Sequence, residues 1–143
     1  MCGIIGVLGN ITQSELIEMT ESQAHRGPDN LGHISINNVH LGHSRLSIID
    51  TSKANNQPLW DSSKRVCIVF NGEIYNFKEL RQDLIFKGYK FDTQGDTEVI
   101  INLYLDQGID GFKKLNGIYA FVLWDSQNEE FIVSRDGCGI KPL

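Results

Sequence analysis

The tightest constraint on this chain lies in its first nine residues, Met1-Cys2-Gly3-Ile4-Ile5-Gly6-Val7-Leu8-Gly9. Chain ends fray unless a strand or helix ties them down. Here Ile4, Ile5, Val7 and Leu8 read as a buried strand that would hold the terminus rigid inside the fold. Cysteine is small at the second position, so aminopeptidase removal of Met1 is expected. Cys2 would then carry a thiol and a free α-amine on one residue. A free thiol titrates near ~8.5 and an α-amine near ~7.7–8.0. Close to neutral pH the amine is therefore poised to take the thiol proton, and no second residue is needed as base. A cysteine at position 2 is by itself more often accidental than catalytic, so the rest of the chain must decide.

A length of 143 residues suits one domain. A hydrophobic content of 41% and a charged content of 22% are those of an ordinary globular chain. The net charge of −5, without a basic cluster, argues against nucleic-acid binding. No apolar run approaches the ~18 residues of a membrane span, and the N-terminus does not read as a signal peptide. Cys2, Cys67 and Cys138 are odd in number and widely spaced, with no CxxC pair. That pattern fits a reducing cytoplasm and excludes a zinc ribbon. His25, His33, His40 and His43 lack metal-site spacing, and His40 and His43 fall on opposite faces of a strand.

Along the chain, Thr12-Gln13-Ser14-Glu15 reads as a capping box, followed by a helix with Leu16, Ile17 and Thr20 on one face. Gly27-Pro28 stops it. Strands are expected on either side of an Asn37-Asn38 hairpin turn, and a further apolar run from Arg45 to Asp50. A strand from Arg65 to Phe70 is expected to end at Asn71-Gly72. Asn76-Phe77-Lys78-Glu79 opens a second helix, with Phe77, Leu80, Leu84 and Phe86 spaced as a buried face and Gly88 as its stop. A third helix begins at Asp96 or Thr97 and runs to Gly108. Residues 117–125 and 130–135 form two strands, the first apolar on both faces and so sandwiched between layers. Strands joined by hairpins, with helices between them, predict an α+β layered architecture with antiparallel sheets.

Several residues could carry chemistry. Asn71 and Gly72 offer an amide and an unobstructed N–H, the two donors a developing oxyanion needs; Asn-Gly is equally a common hairpin turn. Arg45 could clamp a carboxylate through two parallel hydrogen bonds, or could be a solvated strand end. Asp96, after Gly95, reads as a helix N-cap, with holding a substrate ammonium as its other role. Glu73 is open in the same way. Cys67, within Val66-Cys67-Ile68-Val69, reads as a core thiol, and Cys138 has no assigned role.

Taken together, MCGIIGV at 1–7, HRGPD at 25–29, RLSIID at 45–50, QPL at 57–59, FNGEIYN at 70–76, GDTEVI at 95–100, LNGIYAF at 115–121 and RDGCGIKPL at 135–143 resemble the glutaminase domain of the asparagine synthetase family. These are class II glutamine amidotransferases of the N-terminal-nucleophile group. The resemblance runs from the first residue to the last. It implies a four-layer αββα sandwich of antiparallel sheets, with residues 1–143 as an amidotransferase domain incomplete at its C-terminus and lacking the synthetase domain. It implies Cys2 as nucleophile, Asn71 and Gly72 as oxyanion hole, Arg45 for the glutamine α-carboxylate, and Glu73 and Asp96 for its α-ammonium. L-glutamine is the implied substrate and a synthetase domain or subunit the implied partner, with a homodimer also open. No cofactor is expected for the glutaminase half; ATP and magnesium would belong to the synthetase half. Gly137 and Cys138 stand where the family usually has a proline or phenylalanine and an aromatic. Two other readings remain: an N-terminal-nucleophile amidohydrolase for a different amide, and a non-catalytic domain that binds glutamine or a partner.

Overall fold

The computed structural model of the chain describes residues 1–48 and 52–143. Its platform is the ladder between β5 (Val66–Ile74) and β6 (Gly117–Asp125), paired antiparallel from Val66↔Asp125 to Ile74↔Gly117. With β4 (Leu59–Trp60) and β7 (Glu130–Arg135) they form a sheet in the order β4-β5-β6-β7. A second antiparallel sheet has the order β1-β3-β2, from β1 (Gly3–Leu8), β2 (Asn30–Ile36) and β3 (Val39–Arg45). The N-terminal run is therefore tied down as expected, with Gly3 opposite Ser44 and Leu8 opposite Val39.

Side-chain alternation on these strands builds the layers. On one face of the β5–β6 ladder, Val66, Ile68, Phe70, Ile74, Tyr119, Phe121 and Leu123 pack under α2 (Phe77–Phe86) and α3 (Thr97–Gln107) through Leu80, Leu84, Ile100 and Leu103. On the other, Cys67, Val69, Val122 and Trp124 meet Val39 and Leu41 of β3. The outer face of β3 carries α1 (Gln13–Ser22): the Ser44 hydroxyl donates to Thr20 O at 2.8 Å. Gly42 is required there, because a Cβ would come within 2.2 Å of Thr20 Oγ1. Helix, sheet, sheet and helices stack as the expected four-layer αββα sandwich. A fully buried Ile, Leu or Phe contributes ~1.5–3 kcal/mol. Two apolar faces on one ladder therefore bury β5 and β6 from both sides.

Local signals account for several elements. Thr12 and Glu15 close the capping box in both directions, Asn37 takes a positive φ of 54° in the β2–β3 turn, and Gly88 takes 96° after α2. Long-range pairing corrects four expectations. The Asn71-Gly72 pair is not a turn: β5 continues to Ile74 because β6 pairs with it residue by residue. Arg45 closes β3 rather than opening a strand, and residues 46–48 are not strand; Ile49 and Asp50 lie outside the described residues. Asn76 does not cap α2. Its side chain instead ties Lys114 O and Asn116 N, across to the entry of β6. Phe86 is 94% exposed instead of facing the core. Cys67 is a fully buried core thiol, and burial pushes its pKa up to about 12.

Candidate active site

The cleft forms where the end of β3, the start of β1 and the middle of β5 converge. Cys2 precedes β1 and is half-buried. Its Sγ accepts from the Leu46 N–H at 3.4 Å and lies 3.6 Å from Leu46 O. Its carbonyl accepts from Arg26 Nε at 3.2 Å. The thiol is thus fixed by the chain that leaves β3, one strand away from its own.

The edge of β5 supplies the other wall. β4 covers this edge only through the pairs Leu59↔Ile68 and Trp60↔Cys67. Beyond Ile68 the same edge is dressed by side chains. Gln57 Oε1 accepts the Phe70 N–H at 2.6 Å, and Asp96 Oδ2 accepts the Ile74 N–H at 2.9 Å. Backbone N–H groups alternate in direction along a strand. Gly72, midway between Phe70 and Ile74, therefore points its N–H out of the same edge and into the cleft. The absent side chain of Gly72 has a separate cause: a Cβ there would lie 2.3 Å from Ile118 O and 2.7 Å from Tyr119 Cα. Close approach of β6 demands the glycine, and the open edge gives its N–H a use. Asn71 and Glu73 project from the opposite face of β5, the one that packs on the first sheet.

Arg45 is buried at the end of β3, where its Nη1 donates to Ser52 O at 2.8 Å and to Asn56 Oδ1. Asp96 is 4% exposed at the N-terminus of α3. It occupies the N-cap position without making a side-chain cap hydrogen bond, and serves Ile74 instead. Burial is the main reason its pKa rises to about 6; the charge of Glu73 adds to this, and the N–H bonds only partly offset it. His43, fully buried, hydrogen-bonds Phe70 O through Nε2 at 3.1 Å, and burial lowers its pKa to about 4. A neutral imidazole braces β3 against β5 directly behind the cleft.

Cys2, Arg45, Asn71, Gly72, Glu73 and Asp96 all line this one cleft, of about 90 Å³. Met1 and Lys141 also line it, with Lys141 Nζ 3.3 Å from Met1 Sδ. Sequence reasoning missed Asn55, Gln57, Thr97 and Lys141 as lining residues. Gln57 stood in a motif, but its work of satisfying Phe70 and reaching Thr97 Oγ1 at 3.3 Å is visible only in three dimensions. Cys138 is exposed, and Gly137 has open space around it.

Two antiparallel sheets face to face between helices, with the chain's second residue opening into a cleft between them, define the N-terminal-nucleophile class of fold. Within it, the chain belongs to the glutamine amidotransferase domain family, whose model matches residues 1–143. It is 41% identical over 148 residues to the glutamine-hydrolysing asparagine synthetase 3 of Arabidopsis thaliana, covering 100% of this chain and 25% of that protein. It is 43% identical to synthetase 2 of the same plant, with the same coverage. To asparagine synthetase 1 of Bacillus subtilis it is 41% identical over 150 residues, covering 100% of this chain and 24% of that protein. The chain spans about a quarter of the length of these curated relatives. A solved structure, the glutamine phosphoribosylpyrophosphate amidotransferase from B. subtilis complexed with ADP and GMP, shares the fold at a TM-score of 0.81. That match covers 97% of this chain and 38% of that one at 23% identity.

Proposed function

We propose that this chain hydrolyses the side-chain amide of L-glutamine to glutamate and ammonia, and delivers the ammonia to an ATP-dependent asparagine synthetase domain or subunit. The observation that carries the reading is the shared cleft. A thiol on the second residue, an open strand edge with a glycine N–H, a buried arginine and two carboxylates line one small space.

Removal of Met1 frees the Cys2 nitrogen and clears one lining residue from the cleft. The α-amine takes the thiol proton, and the sulfur attacks the substrate's amide carbonyl. Negative charge develops on the carbonyl oxygen, where the Asn71 amide and the Gly72 N–H donate. Their worth is large because both stand preset on the buried β5–β6 ladder; loss of one such donor costs ~2.7–4 kcal/mol of barrier. The tetrahedral adduct expels ammonia, protonated by the Cys2 ammonium. Water then cleaves the γ-glutamyl thioester, and the thiol is regenerated. Arg45, held in place by Ser52 and Asn56, takes the α-carboxylate. Glu73 and Asp96 take the α-ammonium. This chemistry needs no cofactor; ATP and magnesium serve the synthetase half. Among the described residues no helix is long and apolar enough to cross a membrane, and we place the protein in the cytoplasm.

The direct test replaces the sulfur. Cys2→Ala is expected to release no ammonia from glutamine while still binding it in calorimetry. Turnover retained in that variant would reject the mechanism. Intact-mass measurement of the wild-type chain checks that Met1 has been removed.

A further inference from the structure

Asn55 is the residue of the cleft whose hydrogen bonding is left incomplete. It ends the short helical turn Lys53–Asn55, is 7% exposed, and lines the cleft. Its Oδ1 is buried without a hydrogen-bond partner among the described residues. Leaving such an oxygen unmet costs ~1–3 kcal/mol, so a native fold keeps one only where something else meets it. Position in the cleft narrows what that is. The Asn55 amide packs against Gly95, the residue before Asp96; a Cβ on Gly95 would lie 2.5 Å from Asn55 Nδ2. Its chain neighbour Asn56 holds the Arg45 guanidinium. Asn55 therefore lines the cleft packed on the residue that precedes Asp96, and next in the chain to the one that holds Arg45.

We propose that Asn55 is a specificity-determining residue whose side-chain oxygen accepts a hydrogen bond from the α-ammonium of the amino-acid substrate. An ammonium has three N–H donors. Glu73 and Asp96 supply two acceptors, and Asn55 Oδ1 supplies the third. The absent side chain of Gly95 is what lets the Asn55 amide pack there. A carbonyl oxygen suits this third place. A third carboxylate would add to the repulsion that already acts between Glu73 and Asp96, whereas a neutral acceptor completes the shell without charge. The site thereby reads the α-amine of the ligand, and a carboxamide that lacks the amine leaves Asn55 unmet.

This inference rests on the reading of the cleft as an amino-acid site. Its test separates binding from hydrolysis. Affinities of L-glutamine and of 4-carbamoylbutanoate, which has no α-amine, are measured by calorimetry on the full chain in a Cys2→Ala background. Asn55→Leu is expected to weaken L-glutamine about tenfold or more, the range of a hydrogen bond to a charged group. It should change 4-carbamoylbutanoate by less than about twofold, since no bond to Asn55 is lost. Asn55→Ser, which keeps a neutral acceptor oxygen on the same Cβ, should lose less glutamine affinity than Asn55→Leu. Unchanged glutamine affinity in Asn55→Leu, or an equal loss for both ligands, would overturn the proposal. If the parent binds glutamine but the intact-cysteine chain does not hydrolyse it, the hydrolytic reading fails and the role of Asn55 stands.

Discussion

The two ends of the β5–β6 ladder each bury an aspartate, and the two have opposite fates. Asp125, opposite Val66, is fully buried. Burial pushes its pKa up, but the Arg65 guanidinium, the Tyr104 hydroxyl and the N–H groups of Asn128 and Gln127 outweigh burial and bring it down to about 2. Asp96, which accepts from Ile74 at the other end, is nearly as buried, and among the described residues it forms no ion pair. Burial dominates there, and the pKa rises to about 6. A buried charge that the protein itself satisfies is structure. A buried charge left under-compensated in a cleft, beside a second carboxylate, is a place prepared for a cation from outside. The ladder thus carries a finished ion site at one end and an unfinished one at the other.

Breaking the finished site should give the largest effect on stability. In Asp125→Ala, the Arg65 pair at 2.6 Å, the Tyr104 hydroxyl and two backbone donors lose their acceptor. A loss of about 3 kcal/mol is expected, measured by urea denaturation. Glutamine turnover below the unfolding transition should be unchanged. The sign with pH follows from the lowered pKa. The unfolded chain binds more protons between about 2 and the ordinary 3.8, so this contribution is fully present above 3.8 and is lost as pH falls towards 2. Equal acid sensitivity in wild type and Asp125→Ala would erase the distinction between the two ends.

The unfinished site predicts the reverse. Asp96→Asn keeps an oxygen for the Ile74 N–H and removes a charge that is costly to bury. Between 3.8 and about 6 the folded chain binds more protons than the unfolded one, so the wild-type carboxylate costs stability as pH rises through that window. The shift from 3.8 to about 6 represents ~3 kcal/mol, of which the weaker neutral acceptor for the Ile74 N–H takes back ~1 kcal/mol, so the variant is expected to be more stable than wild type at pH 8 and no more stable at pH 3. The same substitution should weaken glutamine binding, a trade of stability against function. A variant that is destabilised at pH 8 would show that Asp96 is structural after all.

How much of this the sequence displays depends on how far apart the interacting residues lie. The Thr12–Glu15 capping box and the Asn37-Asn38 turn are local and read directly, and period-two alternation marks β2 and the double-faced β6. Residues Cys2, Arg45, Asn71, Gly72, Glu73 and Asp96 are picked out by side-chain chemistry and by resemblance; their meeting in one cleft is a product of topology. Where local and distant preferences compete, the distant one wins. Asn71-Gly72 has turn propensity, yet pairing with β6 keeps it in strand. Asp96 has the chemistry of a cap, yet it serves Ile74. Asn55 carries no local signal at all, because the residue its amide packs against, Gly95, lies forty residues further along.

The smallest predicted effect is the most specific to the comparison. If the cation missing at Asp96 is the substrate's ammonium, binding must finish the site electrostatically and pull the pKa of Asp96 down from about 6. At pH 6, Asp96 in the free protein is about half protonated, and glutamine binding then expels roughly half a proton. At pH 8 the carboxylate is already ionised and nothing is released from it. Calorimetry in the Cys2→Ala background, repeated in buffers of different ionisation enthalpy, measures this directly. The release should vanish in Asp96→Asn and persist in Asp125→Ala, whose carboxylate is ionised with or without ligand. Release that survives Asp96→Asn would place the titrating group elsewhere. Proton uptake at pH 6 instead of release would mean that the cleft receives negative charge beside Asp96, and the ammonium would have to lie at the other end of the substrate.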